Sequence, residues 1–427
     1  MAGESENQKI ENQKIKMTHK KQKLIYADHS ATTQVRKEVL EIMLPCFDEN
    51  FGNPSSIHSY GRKAKHCLED ARKNIASVIN ADERQIVFTS GGTESDNLVI
   101  SGVSRLVDES VLKKDKHIIT SKIEHPAIKE PLEYLEKKGW NITWINVDKE
   151  GLVDFNELKR SITVRTSLVS IIHANNEIGT IQDLKQISEI CKKNNVLFHT
   201  DAVQSFGKIP IDVKDLNIDF LSMSSHKIYG PKGAGALYIK DIKSTTSIFC
   251  GGGQEYKIRP GTENLPAIIG FSYAAKLINS EMELNAKYLR ELQLKLMKGL
   301  SEIKNIILTG VDVDKITENI PNEKYLYRIP GHVSICCKNI DGESLVLQAD
   351  LRGIACSSGS ACKNNDTEGN NFEPSHVLKA LMIPCDYNKG SLRFTLGKEN
   401  TMDDVKYIIE SMTAIVETLN KKALLAS

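Results

Sequence analysis

Three short stretches hold residues that could grip one small molecule from three sides. In Thr89-Ser-Gly-Gly-Thr-Glu-Ser95, an apolar run gives way to a helical pattern through two glycines and a threonine. Glycine lets backbone approach an anion, and a helix start offers free N–H groups and a positive dipole end, so Gly92 and Thr93 suit a phosphate. In Phe198-His-Thr-Asp201-Ala-Val-Gln204, a second apolar run ends on an acid. A carboxylate buried there is costly without a cation or hydrogen bonds. In Ser222-Met-Ser-Ser-His-Lys-Ile-Tyr-Gly-Pro-Lys-Gly233, Lys227 follows a third apolar run, with Ser224 and His226 beside it. A partly desolvated lysine has a depressed pKa and can form a Schiff base. Each stretch alone has a plainer reading: a glycine turn with a threonine cap, a strand-end cap, a solvated lysine. Occurring together in chain order, they match what pyridoxal phosphate needs, namely a lysine, a carboxylate for the ring nitrogen and a phosphate site.

Further candidates surround this set. His125, in Glu-His-Pro, could stack on a ring and shuttle protons. Asn176 could hydrogen-bond a ring oxygen. Cys362 sits among small residues, and the stretch after it, from Lys363 to Phe372, is rich in Asn and Gly, the composition of a loop. An accessible loop cysteine is a nucleophile candidate. Cys356 is a rival thiol, but it follows Gly-Ile-Ala and is expected to be buried.

The elements that would position these residues follow from periodicity. Apolar positions at Ala64, Cys67, Leu68, Ala71, Ile75, Val78 and Ile79 form a helical stripe. Strand-like runs at 86–89, 117–121, 142–147, 168–172, 196–200, 219–223 and 235–239 alternate with helical stretches at 93–106, 126–138 and 184–193. That alternation predicts parallel βαβ units, with strands buried on both faces. Beyond residue 265 the pattern changes. Two helices are expected at 265–279 and 282–303, followed by strand 333–337, helix 342–352, strand 392–396 and helix 402–419. The chain thus divides into a large α/β domain over 35–280 and a smaller α+β domain formed by 24–34 with 281–427. Residues 1–23 are polar, with six lysines and almost no apolar side chains, and are expected to be a disordered tail.

Composition excludes several classes. The chain of 427 residues carries 56 Lys+Arg against 55 Asp+Glu, so it has no strong field for nucleic acid or an anionic membrane surface. No apolar run reaches the roughly 18 residues of a membrane span. Nine cysteines without a CxxC pair fit free thiols in a reducing compartment better than a disulfide framework or a metal site of the protein's own.

Taken together, the motifs resemble the NifS/IscS-type cysteine desulfurases of the class V aminotransferase group. The resemblance runs from Tyr26-Ala-Asp-His-Ser-Ala-Thr-Thr33 to Leu392-Arg-Phe-Thr-Leu-Gly397. It includes Phe51-Gly-Asn-Pro-Ser-Ser56, Ser90-Gly-Gly-Thr-Glu-Ser-Asp-Asn97, Ser225-His-Lys-Ile-Tyr-Gly-Pro-Lys-Gly233, Arg259-Pro-Gly-Thr262 and Ser357-Ser-Gly-Ser-Ala-Cys362. It implies the fold-type-I architecture of pyridoxal-phosphate enzymes: a mostly parallel central sheet with helices on both faces, plus a smaller α+β domain. It also implies roles. Lys227 would hold the cofactor covalently, Asp201 would pair with its ring nitrogen, and His125 would stack on the ring. Gln204 and Asn176 would bind the ring hydroxyl side. Gly92, Thr93, Ser224 and His226 would hold the phosphate, with Thr262 reaching the phosphate of the other subunit in a homodimer. Arg393, with Asn176, would bind the substrate carboxylate. Cys362 would take sulfur from L-cysteine as a persulfide, releasing alanine, and pass it to an iron–sulfur scaffold protein or another acceptor. The only metal contact this leaves for Cys362 is a transient one with a cluster on such a scaffold. Alternatives are a selenocysteine lyase or related lyase or aminotransferase, and a non-catalytic scaffold for cluster assembly. The expected location is the cytosol, with a mitochondrion or related organelle as the alternative. The stretches 363–372 and 316–328 are longer than the resemblance requires.

Overall fold

The computed structural model describes residues 24–312, 327–359 and 374–426. Cys362, the tail 1–23, all of 363–372 and most of 316–328 lie outside the described residues.

A seven-stranded sheet forms the centre. Its spatial order is Ile86–Thr89, Gly235–Ile239, Phe220–Ser224, Leu197–Asp201, Leu168–Ser170, His117–Ser121, Asn141–Ile145. Gly235–Ile239 runs antiparallel to both its neighbours, and the other pairings are parallel. Successive side chains alternate across the sheet. Ile118, Phe220 and Leu237 join one apolar cluster, with Leu98, Val103 and Ile128 from the helices Gly92–Asp108 and Pro126–Lys137. Ile119, Leu221 and Tyr238 join the opposite cluster, with Ile75, Ile187, Phe206 and Phe271. Both faces are therefore covered, which is why these strands read as unbroken apolar runs. Because the parallel strands share one direction, Thr89, Ser121, Ser170, Asp201 and Ser224 all finish at the same edge, where open α/β sheets place their ligands.

A second core lies apart from the sheet. It joins Ile25 and Ala27 to Leu292, Leu296, Val333, Ile335, Ile354, Phe394, Ile408 and Met412. Its antiparallel sheet has the order Ser391–Thr395, His332–Cys337, Ile306–Leu308. Ile25–Tyr26 pairs in parallel with Ile354–Ala355. These last two strands and Ile306–Leu308 are only two or three residues long, too short for any periodicity to announce them.

One expectation is corrected. A single helix, Leu265–Ser301, replaces the two helices expected at 265–279 and 282–303. Asn279 and Ser280 have weak helix propensity but are not breakers, and Glu281 is a good helix former. Ser280 bonds the Leu277 carbonyl within the helix, and Met282 is buried, so packing carries the helix through.

Candidate active site

The strand ends converge on a cavity of about 370 Å³. Ten of the sequence candidates line it: Gly92, Thr93, His125, Asn176, Asp201, Gln204, Ser224, His226, Lys227 and Arg393. Thr262 does not; it is exposed on the segment that follows Arg259. That segment is tied to the cradle of its own chain, because Arg259 Nε donates to Glu94 Oε1 at 2.8 Å and Glu94 Oε2 accepts from the Ser90 amide at 2.8 Å.

Asp201 forms the floor. It ends the strand Leu197–Asp201 and accepts one bond, from the Val203 amide at 2.8 Å to Oδ1. Burial raises its pKa to about 6, against that bond and the nearby Lys227 charge. Two further acids lie in the same region, and neither stood out in the sequence as a site residue. Asp96 is pushed well above the ordinary carboxylate range, first by burial and then by the charge of Asp201. Glu124 is raised to about 8 by burial, although it accepts from the Ile172 amide at 3.0 Å. His199 is held down to about 3 by burial. Its ring bonds Ser170 Oγ at 2.9 Å and Ser222 Oγ at 3.1 Å and lies 3.6 Å from Asp96 Oδ1. Burial thus favours the protonated forms of Asp96 and Glu124, and Asp201, at about 6, is the acid that stands on the ionised side at neutral pH. It is a buried anion suited to a cationic partner.

The opposite side is the lysine turn. The strand Phe220–Ser224 runs into a short 3-10 turn, Ser225–Lys227. Lys227 Nζ donates to the carbonyls of Ser30 (2.5 Å) and Ala31 (2.8 Å). The 28–33 segment is laid against this turn, since the Thr33 amide and Oγ1 both donate to the His226 carbonyl at 2.9 Å.

The third wall is the start of the helix Gly92–Asp108. Its cap position is Gly91, so Thr93 is the second helical residue and not the cap. A Cβ at Gly92 would run into Val203 Cγ2, and one at Gly235 would stand 2.6 Å from Gly91 Cα. Glycine at both positions lets the turn lie directly on the sheet, with the first helical amides left free. Ser224 adds a hydroxyl. His226 is held to about 4, by burial first and then by Lys227, so its imidazole is neutral.

His125 caps the helix Pro126–Lys137 by accepting from the Ala127 amide at Nδ1, 3.1 Å away. That bond assigns the ring proton to Nε2. Burial and Lys227 lower its pKa to about 4. Gln204 Nε2 donates to the Ser30 carbonyl at 3.0 Å, and its Oε1 accepts from Lys208 Nζ at 3.3 Å. Lys208 is held to about 7 by burial and by the charges of Lys227 and Arg393. It fixes which way the Gln204 amide faces, and only its spacing of four residues from Gln204 hints at this in the sequence.

At the far end stands Arg393, on the strand Ser391–Thr395. Its Nη1 donates to the carbonyl of Asn176 at 2.9 Å and its Nη2 to Asp28 Oδ1 at 2.9 Å. Asn176 thus meets Arg393 through its backbone. Glu177 beside it is raised to about 7 by burial. Cys356 is buried and its thiol is pushed up to about 12, so it is a poor nucleophile.

The aminotransferase class-V family model matches residues 25–408. The chain is 46% identical over 397 residues to the cysteine desulfurase IscS of Methanosarcina thermophila, covering 93% of each chain. It is 42% identical over 402 residues to the probable mitochondrial cysteine desulfurase of Dictyostelium discoideum, covering 92% of this chain and 83% of that one. A solved structure described as a NifS-like protein superposes with a TM-score of 0.81 at 34% identity, covering 93% of this chain and all of that one.

Proposed function

The chain belongs to the class-V aminotransferase family and is a cysteine desulfurase, and from that premise we propose which of its residues do what. Pyridoxal phosphate is the cofactor the family implies, and the cavity suits it. Asp201 is a buried acid that accepts one hydrogen bond among the described residues, from the Val203 amide. The glycine turn leaves helix amides free beside the hydroxyls of Thr93 and Ser224. Lys227 offers an amine on the same cavity. The observation that carries the assignment is that Asp201 and Lys227 follow from neighbouring parallel strands and meet across one cavity closed by a helix start.

Bound there, pyridoxal phosphate supplies an electron sink for the carbon that bears the substrate's amino group. Lys227 Nζ anchors the cofactor and then accepts the Cα proton of L-cysteine. Asp201 remains ionised and holds a cation at the ring nitrogen. The amides of Gly92 and Thr93, with Ser224 and His226, hold the phosphate. Gln204 and Asn176 serve the ring hydroxyl side. His125, neutral and protonated on Nε2, covers the ring and can donate that proton. Arg393 takes the substrate carboxylate by charge-assisted hydrogen bonds. Cys362 attacks the substrate sulfur. A new S–S bond forms as the Cβ–S bond breaks, and the bonding pair stays on the carbon side. Cβ gains a proton and Cα regains one from Lys227, so that alanine leaves and Cys362 keeps the persulfide.

Exposed Thr262, on a segment braced by the Arg259–Glu94 pair, supports a homodimer in which this segment reaches the other subunit. The persulfide passes to an iron–sulfur scaffold protein or another sulfur acceptor. The separate cores support a division of the chain near residue 280. No described helix is long and apolar enough to cross a membrane. We place the protein in the cytosol; the Dictyostelium relative supports a mitochondrion or related organelle as the alternative.

The test is Cys362→Ala. Alanine and sulfide release from L-cysteine should stop, while the cofactor stays bound and cysteine still perturbs its absorption. Undiminished turnover would assign the sulfur step to another thiol.

A further inference from the structure

Arg393 is held by groups of its own chain. Asp28 Oδ1 accepts from its Nη2, and Asp28 Oδ2 accepts from Ser357 Oγ at 2.6 Å. Both oxygens of Asp28 are therefore committed. Backbone pairing fixes the three segments to one another: Asp28 bridges Thr395 and Ser357 bridges Arg393, whose amide donates to the Ser357 carbonyl at 2.7 Å. The side chains of the ion pair are 9% and 16% exposed. A pair this buried is weak evidence for stability, because desolvation offsets most of the attraction. Its geometry suggests another use. A guanidinium has five N–H donors in a rigid fork. Among the described residues, Asp28 and the Asn176 carbonyl each take one and Nε is buried without a partner, which leaves the second hydrogen of each Nη as the spare donors.

We propose that Asp28 is a positioning residue for substrate recognition. It fixes the guanidinium of Arg393 by one edge, so that the unused donors stay in place for the carboxylate of the amino-acid substrate. Ser357 acts one step further back by fixing Asp28. This rests on the desulfurase reading of the cavity and adds two residues to it. Asp28 orients Arg393 and does not compete with substrate, because it takes a single donor and is itself tethered.

The test is calorimetric titration of the holoenzyme with L-alanine and with L-alaninamide, which keeps the amine but lacks the charged carboxylate. For Asp28→Asn, L-alanine should bind about tenfold more weakly, the effect of one impaired charge-assisted contact. L-alaninamide should change less than about twofold, because the contact acts only on a carboxylate. Ser357→Ala should weaken L-alanine in the same direction, by about threefold, and it carries the test if Asp28→Asn does not fold. Equal weakening of both ligands would mean a general structural role and would overturn the proposal. Unchanged or tighter L-alanine binding in Asp28→Asn would overturn it too, tighter binding making Asp28 a competitor. A wild-type holoenzyme that releases no alanine from cysteine would overturn the desulfurase reading itself, and this inference with it.

Discussion

The cofactor side of the cavity comes from one sheet, whereas the carboxylate side comes from four separated stretches of chain. Asp201, Ser224 and Lys227 lie at the ends of two strands that are neighbours in register. Once the sheet forms, their relative positions are set by backbone hydrogen bonds. Asp28, Asn176, Ser357 and Arg393 meet only when the first and last parts of the chain close on each other; the Asp28–Arg393 bond spans 365 residues and the Asp28–Ser357 bond 329. The two sides should therefore fail differently. Damage to the first should remove the cofactor, and damage to the second should leave the cofactor and loosen the substrate.

The largest effect is expected at Lys227. Lys227→Ala should abolish cysteine turnover and the visible absorption of covalently held cofactor, read on the purified protein. Retained absorption would mean that another amine holds it. Next comes Arg393→Lys, which keeps the charge but loses the planar fork. It should raise the KM for cysteine by about tenfold or more, the loss of a bidentate charge-assisted contact, with cofactor absorption intact. If the variant sheds its cofactor, the two sides are not separable and the comparison breaks.

The smallest effect is a pH dependence within the first side. Glu124 has a folded pKa of about 8, above the roughly 4.3 of an unfolded glutamate. A raised pKa contributes stability that is present below the unfolded value and is lost as pH rises through the folded one. Glu124→Gln cannot ionise. Its melting temperature should therefore gain on the wild type between about pH 5 and pH 9. A constant difference across that range would mean that Glu124 is not buried as an acid.

The same contrast explains what could be read from the chain. Lys227, Asp201 and the Gly91–Gly92 turn were legible because an apolar run ending on a polar residue marks the edge where such sheets bind ligands. Strand order was not legible, and nothing local marks Gly235–Ile239 as antiparallel. Asp96 and Glu124 sit beside residues singled out as candidates, but what raises their pKa values, burial first and then the charge of Asp201, exists only in the folded chain. Asp28 lay within the Tyr26–Thr33 motif, yet its partners depend on closure across most of the chain. The break expected between residues 279 and 282 did not form, because the intervening residues do not stop a helix and Met282 is buried within it.

The helix that crosses that point has a mechanical consequence. Leu265–Ser301 has 37 residues, a rod of about 55 Å. Its first half is embedded in the sheet's core through Ile268, Phe271 and Ala275, and its second half in the other core through Leu292, Leu296 and Leu300. Two bodies joined by a loop can swing about it. Two bodies that share a rigid axle can move relative to each other only by flexing it or by sliding on it, and either motion disturbs packed side chains. Along this connection, any change in the gap between the cofactor side and the carboxylate side, and so in the spacing offered to the substrate's amine and carboxylate ends, would have to disturb that packing.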